Sequence, residues 1–200
     1  MKNKINRVLV IDLLKLIKDS KKVNFNKNNS YLKTYPEFIK YFKDCKKINE
    51  HNYVVGIHAI YGWMPTILKK LDLTEINETL RILNNVKGGK KLEEKDLMHL
   101  KSKINNSLVG SSKLIHFINP KKYAIWDSRV YKYIFGKKPS SQTEKVSNYI
   151  KYISELERIE KDSRFDSVYK KVNSDIKKHF NYSVTKKRAI ELIMFELSNI

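Results

Sequence analysis

Apolar residues recur at three- and four-residue intervals through almost every segment of this chain, whereas the alternating β-branched pattern of strands is nearly absent. The spacing predicts helices near residues 4–18, 35–47, 50–62, 65–71, 74–86, 92–106, 111–118, 127–135, 142–160, 164–180 and 185–198. The expected fold class is all-α, a compact helical protein of about ten helices. Residues able to cap helix starts support these boundaries: Thr74 with Asn77, Asp127, Ser141 with Glu144, and Thr185. Breaks are expected at the Asn-rich stretch Asn24 to Ser30, at Gly88-Gly89, around Pro120, and from Gly136 to Ser140. In the last helix Ala189, Ile190, Ile193, Met194 and Leu197 form one stripe, which should dock on the core.

With 200 residues, 41% of them apolar and 11% aromatic, the chain can build one well-packed core. It reads as a single helical domain, 1–200, with room for an N-terminal lobe of about 1–90 and a C-terminal lobe of about 91–200. Charge changes the picture more. Forty-one Lys and Arg against 21 Asp and Glu give a net charge of +20, so an anionic partner is the leading inference: DNA, with RNA as the alternative. Part of this charge is explicable as composition, because the sequence is crowded with Lys, Asn and Ile. Composition does not explain a stretch in which acids vanish. From Leu97 to Thr143 there are nine Lys and Arg and a single carboxylate, Asp127. That makes Asp127 the first candidate for chemistry on a polyanion.

Cys45 is the only cysteine, which excludes an internal disulfide, a four-thiolate zinc site and a cysteine-ligated iron–sulfur cluster. This reads as a reducing, cytoplasmic compartment. The N-terminal apolar stretch is interrupted by Asp12, Lys15 and Lys18 at helical spacing, which predicts an amphipathic helix and not a signal peptide. No run of about 18 apolar residues exists to span a membrane. The five histidines lack the spacing of a helical zinc pair, and no P-loop, GxSxG or Cys/His dyad occurs. No cofactor and no obligate protein partner is implied.

The most specific stretch is 104–136, INNSLVGSSKLIHFINPKKYAIWDSRVYKYIFG. A helix is expected to end near Asn106, a short turn to carry Gly110, and the next helix to open on Ser111, Ser112 and Lys113. Free N–H groups at that opening would seat a phosphate. The segment resembles the helix-hairpin-helix DNA glycosylase superfamily, in which a Leu-Pro-Gly-Val-Gly-x-Lys-Thr-Ala hairpin leads to a Val-Asp-Thr-His-Val helix start. Leu108-Val109-Gly110-Ser111-Ser112-Lys113 stands at the hairpin and its lysine, with a hairpin-like element near 100–118. Trp126-Asp127-Ser128-Arg129-Val130 stands at the aspartate motif, and Phe135-Gly136 at the close of the following helix. The hairpin lacks the proline and one glycine, and the separation of Lys113 from Asp127 is about one helical turn shorter than usual.

The resemblance implies excision of a modified or damaged base, oxidised guanine being the first to test, with strand cleavage left open. Lys113 would be the amine that displaces the base and Asp127 the carboxylate that steadies positive charge on the sugar. Gly110, Ser111, Ser112, Lys121, Lys122, Arg129, Lys137 and Lys138 would hold DNA. His116, Phe117 and Trp126 would face the extruded base, each with a core role as the plainer reading. Glu191 and Phe195 on the last helix stand where oxoguanine glycosylases place a base-contacting Gln and a stacking Phe. The Tyr61-Gly62-Trp63 corner offers a second aromatic surface. Rival readings are a non-catalytic nucleic-acid-binding protein with the same fold, and a helical interaction module whose lysines only solubilise it.

Overall fold

A computed structural model describes residues 9–64 and 66–198. Ten α-helices follow in order: α1 Leu13–Ser20, α2 Ser30–Asp44, α3 Glu50–Trp63, α4 Ile76–Lys87, α5 Glu94–Lys103, α6 Leu108–Ile118, α7 Ser128–Phe135, α8 Val146–Glu160, α9 Asp166–Phe180 and α10 Lys186–Leu197. Short 3₁₀ turns at Ser141–Glu144 and Ser163–Phe165 precede α8 and α9. Among the described residues there is no sheet, only an isolated antiparallel bridge between Leu71 and Ile104. The protein is all-α. No described helix is long and apolar enough to cross a membrane.

Helix α6 is the hub. Every residue from Gly110 to Ile118 is buried, and α2, α3, α4, α5 and the 141–144 turn pack around it. Helix α10 plays the same part further on, enclosed by α1, α7, α8 and α9. The buried apolar side chains form one cluster reaching from Leu9 to Met194. Residues before and after position 90 therefore share a core, with α6 surrounded largely by helices that precede it.

Between α6 and α7 the chain runs extended through this core. Tyr123, Ala124, Ile125 and Trp126 are all buried, and the side chains around them meet their backbone needs. His116 Nδ1 donates to Tyr123 O at 2.9 Å. Tyr149 donates to Ala124 O and Tyr152 to Ile125 O, each at 3.1 Å. Ser112 Oγ donates to Trp126 O and accepts from Trp126 N. Because a carbonyl can only accept, His116 carries its proton on Nδ1, and Nε2 accepts from the Tyr35 hydroxyl at 2.9 Å. Helix α2 is thereby tied to the same segment. Pro36 interrupts the hydrogen bonding of α2, and the Tyr182 hydroxyl supplies Leu32 O with the donor that proline lacks.

Several boundaries differ from the sequence expectation. Of the predicted 4–18 helix, residues before 9 lie outside the described residues; residues 9–12 are not helical, and α1 starts at Leu13 with Asp12 accepting from Lys15 N. Helix α2 starts earlier than predicted because Asn29 caps it, accepting from Leu32 N. The predicted 65–71 helix does not form. Pro65 is outside the described residues, and the N–H groups of Lys70 and Asp72 are spent on Asn105 Oδ1 and Lys103 O. Helix α4 begins at Ile76 with Glu75 in the left-handed region, so Thr74 is not its cap. Asp127 and Thr185 do cap α7 and α10. Ser140 caps the 3₁₀ turn in place of Ser141, and the Glu144 carboxylate serves α6.

Burial lowers the His116 pKa to about 3, helped by the nearby Arg188 charge. A histidine held neutral in the fold but free to protonate when unfolded costs stability as pH falls below its ordinary 6.5. The expected loss is about 2 kcal/mol by pH 5. Urea titrations from pH 7 to 5 should show this fall in the native protein, and His116→Gln, which cannot take up the proton, should blunt it.

Candidate active site

The α7 mouth, the middle of α6 and one side of α10 open onto a cleft of about 650 Å³, the size of a small-ligand site. Lys113, Asp127, Arg129, Glu191 and Phe195 all line it. The two side chains expected to react thus share one opening. Asp127 is set by its cap role: Oδ1 accepts from the N–H groups of Arg129 and Val130, both at 3.0 Å. Those bonds leave Oδ2 free of the helix and able to act on a ligand. The α7 N-terminus places partial positive charge behind this carboxylate.

Lys113 projects from the second turn of α6 and is buried. Its Nζ lies 5.6 Å from the centre of the Trp63 ring. Burial lowers its pKa, while Asp127 and Glu191 oppose that through space without a hydrogen bond. An amine desolvated in this way is more readily neutral, hence nucleophilic, than a surface lysine.

Arg188 and Glu191 face the cleft from α10, spaced i,i+3 and both almost fully buried. Arg188 Nη1 donates to Glu191 Oε1 at 2.5 Å, and its guanidinium lies 4.6 Å from the centre of the Tyr35 ring. Burial works to discharge Arg188, but the neighbouring Glu191 and Tyr35 hold it protonated. Burial pushes the Glu191 carboxyl up to about 7 against the pull of Arg188. Arg188 keeps its charge, and Glu191 is the partner that titrates. Arg129 stacks on Phe195 at 4.2 Å, so Phe195 carries a cation on its face.

Other expectations are corrected. Gly110 lies inside the first turn of α6, not in the preceding turn, which is made by Asn105 and Asn106 in the left-handed region. A Cβ at Gly110 would meet the Tyr61 hydroxyl at 2.5 Å, so glycine admits Tyr61 there. Ser111 and Ser112 are fully buried and donate to Ser107 O and Val109 O. The N–H groups of Leu108 and Gly110 are taken by Glu144 Oε2 and Ser107 Oγ. The α6 mouth is therefore no phosphate seat. His116, Phe117 and Trp126 belong to the core: His116 is tied to Tyr35 and Tyr123, Phe117 packs among Tyr35, Phe38 and Trp63, and Trp126 donates to Thr143 O. Lys121, Lys122, Lys137 and Lys138 are exposed beyond the far ends of α6 and α7 and do not line the cleft.

The lone-carboxylate pattern also does not survive folding. Glu144, Glu191 and Glu196 join Asp127 around the cleft, facing Lys113, Arg129 and Arg188. Lys101 and Lys103, counted in the basic stretch, serve Glu144 and the Asp72–Glu75 loop. Arg188 is the main site residue that the sequence reading missed; its signal was a charged i,i+3 pair set in an apolar helix. Among the described residues no cluster of three His, Cys, Asp or Glu side chains could hold a metal ion. Comparison of the chain with protein-family models, curated proteins and solved structures finds no match.

Because Lys113 binds its proton less tightly in the fold than in the unfolded chain, it costs stability at neutral pH, and this cost fades as pH rises toward the ordinary lysine value of about 10.4. Lys113→Met should raise the urea midpoint at pH 7, and the gain should shrink by pH 10. A gain that does not vary with pH would show that the amine is not desolvated.

Proposed function

We propose that this protein is a DNA base-excision enzyme of the helix-hairpin-helix glycosylase type, acting on a nucleotide extruded into the cleft. The observation that carries the reading is that a desolvated amine, Lys113, and a carboxylate with one free oxygen, Asp127, line the same opening. The neutral Lys113 amine attacks C1′; the C1′–N bond breaks, and the base leaves with the electron pair and takes up a proton. Positive charge develops on the sugar in this step, and the Asp127 carboxylate stabilises it. Loss of the amine proton and opening of the sugar ring give a Schiff base. Removal of a C2′ proton from it would expel the 3′ phosphate and cut the strand; water releases the lysine in either case.

The base lies on the side of Glu191 and Phe195, and Arg129 at the α7 mouth meets the flanking phosphate. The net charge of +20 supplies the long-range attraction to DNA, while the cleft itself is close to balanced in charge. A near-neutral interior suits a base, and the phosphates stay outside on the exposed lysines.

The decisive test is borohydride trapping on duplexes with an abasic site, together with base release from duplexes carrying oxidised or deaminated bases. Native protein should give a covalent product and Lys113→Gln none. Asp127→Asn, which still caps α7, should keep the melting temperature and lose about 10²–10³-fold in single-turnover rate. Binding with steep salt dependence and no product in any assay would identify a non-catalytic DNA-binding protein instead.

A further inference from the structure

The Arg188–Glu191 pair is incomplete in a specific way. An arginine and a carboxylate side by side commonly form two parallel bonds, which would use both carboxylate oxygens and two guanidinium nitrogens. Here only Nη1 to Oε1 is made. Arg188 Nε and Glu191 Oε2 are both buried and have no protein hydrogen-bond partner. The residues are 3% and 1% exposed, and both line the cleft. Three other side chains with buried orphan atoms would be needed to match this density of unmet polar groups elsewhere; the remaining two, on Tyr53 and Thr143, are isolated hydroxyls away from the cleft lining. Leaving a buried donor and a buried acceptor unmet costs more than an ordinary hydrogen bond gains. The natural occupant offers an N–H beside an acceptor.

Building on the excision reading above, we infer that this pair reads the extruded base: Glu191 Oε2 accepts from a ring N–H, and Arg188 Nε donates to the adjoining carbonyl oxygen. The ligand class is a lactam or imide base with its ring nitrogen unsubstituted, such as hypoxanthine, uracil or a guanine derivative. The donor inventory enforces this polarity, since a guanidinium can only donate and an ionised carboxylate can only accept. Charged partners favour the more acidic ring N–H and the carbonyl oxygen over the weaker amine and ring nitrogen of adenine or cytosine. Lys113 and Asp127 then stand on the sugar side of the same cleft, so reading and reaction are done by different groups.

The test uses full-length protein and fluorescent duplexes in which 2′-fluoroarabino-hypoxanthine, resistant to excision, stands opposite a tetrahydrofuran abasic analogue. A second duplex carries the N1-methyl form, which lacks only the ring N–H. Anisotropy titrations should show the unmethylated duplex bound about 10- to 100-fold more tightly. Glu191→Gln should bring the two affinities together. The double variant Arg188→Met with Glu191→Leu removes both charges at once, so that neither is left buried alone, and it too should lose the preference. Equal affinities in the native protein, or a preference that persists in the double variant, would overturn the inference. Trapping on abasic DNA involves no base, so its failure would count against the excision reading and leave this result to be judged by itself.

Discussion

A buried stretch of extended backbone has no helical partners for its own polar groups, and residues 123–126 are such a stretch. Their carbonyls are met by Ser112 and His116 from α6 and by Tyr149 and Tyr152 from α8. Any shift of this connector would strand several groups at once in an apolar core, which is far costlier than loss of one surface bond. Its register is therefore fixed, and so is the position of Asp127 at its end. Ser112 adjoins Lys113 in sequence and holds Trp126, the neighbour of Asp127. One hydroxyl thus couples the two candidate reacting residues through their backbones.

The same economy shapes the rest of the cleft. Lys113 carries burial without a direct ion pair, whereas the other buried cations near it are compensated: Arg188 by Glu191, Lys103 by Glu75 and Asp72. Desolvation left uncompensated at one amine is the usual physical route to a reactive lysine. The surrounding carboxylates keep the cleft from becoming a trap for bare phosphate, and the excess positive charge lies on the exposed surface, where it acts at long range. Affinity for a polyanion and chemistry on its interior parts are in this way assigned to different regions of the molecule.

Local signals were legible where the deciding interactions are local. Asp127 and Thr185 cap the helices they precede because a short polar side chain meets its own backbone within three residues. The 65–71 stretch misled because its spacing is helical but its N–H groups find better partners on the distant Lys103–Asn105 turn. Gly110 looked like a turn glycine and is a contact glycine, a difference set by Tyr61 from another helix. His116, Phe117 and Trp126 looked able to face a ligand because periodicity gives a residue's face but not what lies opposite.

By itself, then, the sequence determined an all-α chain, its main helices, a strong positive charge, and the pairing of Lys113 with Asp127 as residues worth following, since periodicity, capping and composition are read along the chain. Only tertiary structure decided which charges share a cleft. It brought Glu144, Glu191 and Glu196 to a segment that holds one acid of its own, turned the serines of α6 inward, and set Arg188 against Glu191 with a donor and an acceptor still open. The reason is that burial and electrostatic environment depend on distance through space, and residues far apart in the chain supply most of both.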